Sequence, residues 1–173
     1  TYPFSFQNIS TADQASFEVA AVARTIGATS SFTASAQGNI GTTSIGFVYD
    51  SPTSLVARTG SIVQSFLPNN SNCNVSVTFT KGNSEAKGWL DYILLNSTRN
   101  LILSGTQMKI RDTLTVGSGN ITEFNLNTTA NNIELWDITS TLYPKKIQIT
   151  DAGGIKKWTI ATDTLREFIA FTN

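Results

Sequence analysis

Few residues of this chain could carry out chemistry. The chain has no histidine and a single cysteine, Cys73. A Ser–His or Cys–His nucleophile pair needs an imidazole to take up the proton, so neither pair can be assembled from this chain. Zinc sites built on histidine or on several cysteines are excluded for the same reason. Cys73 alternates with Val75, Val77 and Phe79. This spacing predicts a buried core thiol, and a lone cysteine cannot form an intrachain disulfide.

Carboxylates are the remaining catalytic option. A glycosidase needs two facing carboxyl groups, and loop carboxylates together with carbonyls can bind calcium. The spacing of the acidic residues singles out no pair, and no Asp-rich loop marks a calcium site. We therefore expect no enzymatic activity, no metal and no cofactor in this chain, and we interpret the acids as solvated or salt-bridged. The acids considered are Asp91, Glu123, Glu134, Asp137, Asp151 and Asp163.

Composition excludes several classes of protein. The chain carries 12 basic and 12 acidic residues, which gives no electrostatic footprint for nucleic acid or an anionic membrane. Its hydrophobic fraction of 40%, with three Trp and ten Phe, can support a packed core. No apolar run approaches the ~18 residues that a membrane-spanning helix needs. The sequence starts at Thr1 without a signal peptide, as we expect of a piece of a longer protein.

The dominant hydrophobic period is two, as in strands with one buried face. Val75, Val77 and Phe79 give the clearest alternation, and turn-forming clusters such as 68–71 and 81–84 separate the apolar runs. These signals predict an all-β, antiparallel β-sandwich of jelly-roll or immunoglobulin-like type with roughly a dozen strands. We expect a single domain over residues 1–173, with two small sandwiches side by side as the alternative.

One segment departs from simple alternation. The run from Trp89 to Leu95 is apolar on both faces apart from Asp91, which predicts a central strand covered on both sides. A buried carboxylate needs a partner, because an unpaired buried charge is very costly. Arg99 and Arg111 lie on the next two candidate strands, 99–103 and 107–111. Our hypothesis is a cross-strand ion pair between Asp91 and one of these arginines.

Aromatic residues are the other candidates for function. Trp89, Trp136 and Trp158 each fall inside an apolar strand pattern, which favours core packing over an exposed platform that binds sugars. The last predicted strand, 166–171, carries Phe168 and Phe171. These two side chains either form an interface with a neighbouring domain or fill this chain's own core, and the sequence leaves both interpretations open.

Three stretches of the chain, all between Val75 and Phe171, are similar to a known family. They are Gly88–Leu101 followed by Gly105–Asp112, then Leu135–Thr139, then Arg166–Phe171. In this order and spacing they resemble the region just before the peptidase domain of type IX secretion sortases. Those sortases are gingipain-type cysteine peptidases of Bacteroidetes.

The resemblance implies a location and partners. Proteins of that family act at the extracellular face of the bacterial outer membrane, where they remove the C-terminal sorting domain of secreted cargo and help to attach the cargo to a surface lipopolysaccharide. Their catalytic Cys and His lie in a peptidase domain that would follow Phe171, so no catalytic residue carries over to this chain. The resemblance therefore implies a non-catalytic accessory domain. Its expected partners are the downstream peptidase domain and the C-terminal sorting domains of cargo.

Two alternatives come from other functional classes. One is a carbohydrate-binding module of a secreted bacterial protein, and the other is an adhesin-type β-sandwich. Coplanar Trp side chains that face solvent would favour the carbohydrate-binding module, whereas buried ones would count against it.

Overall fold

The chain folds into β-strands joined by turns and loops. The computed structural model describes residues 1–172, and these contain fourteen strands and no helix. The strands form four sheets in which every pairing is antiparallel. The sequence is rich in Thr, Ser and Asn, whose side chains form hydrogen bonds with nearby backbone groups. These bonds compete with the backbone hydrogen bonds of a helix, so helices are disfavoured. The predicted all-β sandwich is confirmed. In the described part of the chain no helix is long and apolar enough to cross a membrane.

The described residues form two compact units, each with its own core. The first unit is Thr1–Asn100, and the second begins at Leu101. In both units a four-stranded sheet and a three-stranded sheet contribute to the same core. The single domain over residues 1–173, and its alternative of two small sandwiches, stay predictions.

The first unit is organised around its longest strands. Its sheets have the orders β1-β6-β3-β4 and β5-β2-β7. Alternate residues of the central strand β2 are fully buried and the others half-buried, so one face of β2 forms much of the core. Cys73 is buried as predicted, and burial raises the pKa of its thiol. The strands are β1 (Tyr2–Ser5), β2 (Ala15–Arg24), β3 (Ser30–Ala36), β4 (Asn39–Ile45), β5 (Arg58–Phe66), β6 (Asn72–Thr80) and β7 (Lys87–Asn96).

Two glycines allow strands of the two sheets to approach each other. A Cβ atom on Gly60 of β5 would lie 2.8 Å from Cγ1 of Ile45, at the end of β4. A Cβ atom on Gly41 of β4 would overlap with Cγ2 of Ile62. Ile45 and Ile62 are both buried, so neither has free space to move into. Glycine is therefore required where β4 passes β5.

Strand β7 does not have the central place that the sequence predicted. It pairs with β2 alone among the described residues and lies at the edge of its sheet, with Trp89, Tyr92 and Leu94 exposed. The prediction of a strand covered on both faces is wrong. The candidate strand 99–103 is also wrong, because Arg99 and Ile102 take part only in isolated bridges.

The second unit packs its two sheets around aromatic rings. The sheets have the orders β11-β10-β14-β8 and β12-β13-β9. The rings of Phe124 and Trp158 stack with centroids 5.1 Å apart, and Phe168 meets them edge-on at 5.4 and 5.5 Å. The strands are β8 (Gln107–Arg111), β9 (Ile121–Asn127), β10 (Ile133–Asp137), β11 (Lys145–Lys146), β12 (Thr150–Asp151), β13 (Ile155–Ala161) and β14 (Glu167–Thr172).

The two candidate interface residues of the last strand have different environments. Strand β14 is an internal strand between β10 and β8, so it offers no free edge. Phe168 is 1% exposed and belongs to the core, which corrects the interpretation of this residue as part of an interface. Phe171, further along the same strand, is only half-buried. Phe171 as an interface residue stays a prediction.

We expect Gly60→Ala to lower the free energy of unfolding by about 1–3 kcal/mol, because the added methyl group overpacks against Ile45. Urea denaturation followed by tryptophan fluorescence measures the change. Gly46→Ala is the matched control, since its Cβ would meet only Cδ of Arg58 at an ordinary 3.9 Å. Equal stability of the two variants would contradict the close approach.

Phe168→Ala should cost about 3–5 kcal/mol, because it leaves a cavity among the core rings. Phe171→Ala should cost less, under about 2 kcal/mol, since Phe171 is only half-buried and lies on the outer side of β14. The two unfolding curves, measured side by side in urea, test this order. A larger loss at Phe171 would show that the assignment of the two faces of β14 is wrong.

Candidate interaction surfaces

An exposed aromatic surface covers one side of the sheet β5-β2-β7. We call it the outer aromatic face. Trp89 is 49% exposed and Tyr92 is 46% exposed, whereas Leu90 and Ile93 pack against the core. The register places Trp89 opposite Val22 and Tyr92 opposite Ala20 on the neighbouring strand. The face comprises Glu18, Ala20 and Val22 of β2, Ser61 and Val63 of β5, and Trp89, Tyr92 and Leu94 of β7.

A β-bulge puts the two aromatic side chains on the same side. Residues three apart on a regular strand point to opposite faces. The pairing of β7 with β2 shifts register between Ala20 and Ala21, and Asp91 is the extra residue on β7. The extra residue shifts the inward–outward alternation of β7 by one position, so that Trp89 and Tyr92 both face outward. Sequence analysis missed this face because an unrecognised bulge makes the run look apolar on both sides.

One hydrogen bond fixes the position of Tyr92. Its hydroxyl group donates to Oε1 of Glu18 at 2.6 Å, from one strand to the next. The hydrogen bond to this carboxylate raises the pKa of Tyr92 above its usual value, so the phenol is neutral at physiological pH. The carboxylate of Glu18 therefore holds the Tyr92 ring at the surface.

The predicted environment of Asp91 is wrong. Its carboxylate is exposed at the bulge, so it does not carry the cost of burial that motivated an ion pair. Arg111 instead forms an ion pair with Glu167 of the adjacent strand β14, at 3.8 Å. The pairing of Asp91 with Arg99 stays a prediction.

A second surface lies on the strands that carry the family resemblance. The stretches Gly105–Asp112, Leu135–Thr139 and Arg166–Phe171 overlap β8, β10 and β14, which are adjacent in one sheet in the order β10-β14-β8. The side facing away from the core has a half-buried apolar centre and a charged rim. We call it the motif face, and it comprises Lys109, Arg111, Glu134, Trp136, Lys146, Glu167, Ile169 and Phe171.

Hydrogen bonds and an ion pair hold one end of the motif face. The indole Nε1 of Trp136 donates to Oε2 of Glu134 at 3.1 Å, and Nζ of Lys146 lies 3.0 Å from Oε1 of the same carboxylate. Trp136 is half-buried rather than a core residue. Core packing is therefore confirmed for Trp158, at 3% exposure, and is wrong for Trp89 and for Trp136.

A buried lysine is the remaining titratable group of interest. Lys156 of β13 is 4% exposed, and its ammonium group forms an ion pair with Asp151 of β12. The hydrogen bond from Lys156, together with one from the backbone N–H of Gly154, lowers the pKa of Asp151 below its usual value. The carboxylate of Asp151 neutralises the buried ammonium group of Lys156, and the role of this ion pair is structural.

Two further features of the described residues concern metal sites and clefts. Residues 1–172 contain no group of three or more His, Cys, Asp or Glu side chains placed to hold a metal ion. A shallow cleft of about 470 Å³ in the second unit is lined by residues such as Asn127, Thr128 and Gly154, and its lining has no acidic or basic side chain.

Comparison with known proteins shows a likeness in fold. No protein-family model matches the chain, and no curated protein sequence matches it. The fold is similar to part of dimeric latent PorU from Porphyromonas gingivalis, known from a crystal structure, with a TM-score of 0.78 and 16% sequence identity. The match covers 97% of this chain and 17% of that chain. The likeness shows that both sequences adopt the same fold.

We expect Asp151→Asn to destabilise the protein at neutral pH, because it leaves the buried Lys156 ammonium without its anionic partner. The folded-state pKa of Asp151 is below its ordinary value of 3.8. The ion pair therefore stabilises the native protein fully above pH 3.8, and this contribution is lost as the pH falls through the lowered pKa.

Urea unfolding of the wild type and the variant between pH 7 and pH 2 checks both parts of this prediction. The difference in the free energy of unfolding between the wild type and the variant should be largest at neutral pH and should decrease in acid. A gap that is independent of pH would show that the side chain acts through packing alone.

Proposed function

We propose that this chain is a non-catalytic accessory domain of a type IX secretion sortase-like cysteine peptidase at the bacterial cell surface. The observation that carries the proposal is the location of the similar stretches. Gly105–Asp112, Leu135–Thr139 and Arg166–Phe171 are separated along the sequence by more than twenty residues, yet they include parts of three neighbouring strands of one sheet. The remaining similar segment, Gly88–Leu101, includes most of β7 in the first unit. The likeness in fold to a part of PorU supports the same assignment over nearly the whole chain.

The motif face has the anatomy of a protein–protein interface. Its centre is apolar and half-buried, at Trp136, Ile169 and Phe171. Charged side chains surround this centre, among them the Arg111–Glu167 and Lys146–Glu134 ion pairs. Interfaces that bind and release typically combine an apolar centre rich in aromatic residues with a polar rim. The face is therefore suited to a protein partner.

We assign the partner as the peptidase domain that would follow in the same chain. In this arrangement the accessory domain binds the peptidase domain or presents the C-terminal sorting domains of cargo to it. Cleavage itself would use the peptidase domain's own Cys and His. This chain contributes no histidine, and its one thiol is buried.

The first test is to sequence the coding region on both sides of this chain. A downstream segment with an α/β pattern and a Cys–His pair is expected. Continuation into glycosidase modules, or into further β-sandwiches without a peptidase, would overturn the assignment.

The second test measures binding of this chain to that downstream segment by isothermal titration calorimetry. Phe171→Ala and Trp136→Ala should each weaken binding about tenfold or more, because they remove aromatic side chains at the centre of the interface. Tyr49→Ala removes an exposed aromatic residue of the first unit and is the control that should leave the affinity unchanged. Equal affinities for all three variants would exclude the motif face as the interface.

A further inference from the structure

The outer aromatic face is a contiguous group of exposed apolar side chains. Single exposed hydrophobic residues are common on protein surfaces, but contiguous groups of them mark binding surfaces. Trp89, Tyr92 and Leu94 follow one another along the outer side of β7, beside Val22 and Val63 of the neighbouring strands. The face lies in the first unit and shares no residue with the motif face.

The residues beside the aromatic rings have short side chains. Across the sheet from Tyr92 lie Ala20 of β2 and Ser61 of β5, both with short side chains. The large rings stand along one edge of the sheet, with these small residues next to them. This shape leaves room for a ligand to lie on the sheet against the rings.

Acceptor groups adjoin the rings. The Oε1 atom of Glu18 accepts the hydrogen bond from Tyr92, and a carboxylate has a second oxygen that accepts further hydrogen bonds. Asp91 places another exposed carboxylate between the two aromatic residues along the chain. A ligand that fits must therefore present an apolar face to the rings and hydrogen-bond donors to the carboxylates, and the hydroxyl groups of a sugar are such donors.

We propose that the outer aromatic face binds an oligosaccharide, with Trp89 and Tyr92 as stacking platforms and Glu18 as a hydroxyl acceptor. A sugar ring has C–H groups on one face, which pack on the negative face of an aromatic ring, and hydroxyl groups around its edge. Outward-facing neighbours on a strand are about 7 Å apart. A ligand that contacts both platforms is therefore a chain of rings rather than one ring. This proposal does not rest on the sortase assignment.

The structure favours a sugar over a β-strand from another protein. An added strand would have to pair with the free edge of β7. The bulge at Asp91 interrupts the regular ladder there, and the charged side chains of Lys87 and Asp91 lie on the same edge strand. Bulges and charged residues are the usual protection of an edge against strand addition. The outer side of the sheet remains accessible to a ligand that stacks on the aromatic rings.

The test is affinity gel electrophoresis of the 173-residue chain in native gels that contain hydroxyethyl cellulose, laminarin or yeast mannan. At least one polysaccharide should slow the wild-type chain, and calorimetry with that polysaccharide gives the affinity. Trp89→Ala should weaken binding about tenfold or more, whereas Trp89→Phe should retain part of it. Tyr92→Phe should weaken binding less than Trp89→Ala, because it keeps the ring but loses the bond that positions it.

Tyr143→Ala is the matched control, since it removes an exposed aromatic residue of the second unit. It should bind as the wild type does. All four variants should keep a single cooperative urea transition, because none of the side chains belongs to the core. Failure of all three polysaccharides to slow the wild-type chain would overturn the proposal, and so would equal binding by Trp89→Ala. Binding of a protein at this face, abolished by Trp89→Ala in the absence of any polysaccharide effect, would also overturn it.

Discussion

The packing of β2 is the constraint on which the first unit depends. Every second residue of this strand is buried against the opposite sheet, from Ala15 to Ala23. Because the side-chain period of a strand is two, a slip of one residue would turn all of these side chains to solvent. The register of β2 is therefore strongly fixed. Since β2 lies between β5 and β7, it fixes the register of both neighbours as well.

The surface chemistry of the first unit follows from that register. The inner residues of β7 must meet the core on both sides of the bulge, and they do so at Leu90 and Ile93. The outward residues are then Trp89 and Tyr92, which form the outer aromatic face. A core requirement thus determines which aromatic residues reach solvent. The bulge costs regular hydrogen bonding at Asp91, and it brings two rings to one side that a regular strand would separate.

In the second unit, one side of strand β14 faces the core and the other side belongs to the motif face. Alternate residues of β14 enter the core at Phe168 and Ala170 and leave the outer side to Ile169 and Phe171. The stacked rings of Phe124 and Trp158 hold the inner side of Phe168 in place. The same internal strand therefore connects the packing of the core to the apolar centre of the motif face.

The sequence by itself determined the fold class, because the alternation of apolar and polar residues and the turn clusters are local signals. The burial of Cys73 followed from the same alternation. The absence of histidine excluded Cys–His and Ser–His catalysis within this chain on composition alone. Each of these conclusions uses only residue type and spacing along the chain.

The tertiary structure alone decided which strands are internal and which are at an edge, because pairing joins residues far apart in sequence. In the structure β7 lies at the edge of its sheet and β14 lies between two other strands. As a result Trp89 is exposed and Phe168 belongs to the core. The tertiary structure also gave Asp91 a place in a bulge rather than in a buried ion pair. A period-two pattern identifies two faces of a strand, but it cannot say which face is covered. That depends on the neighbours that the whole chain brings to the strand.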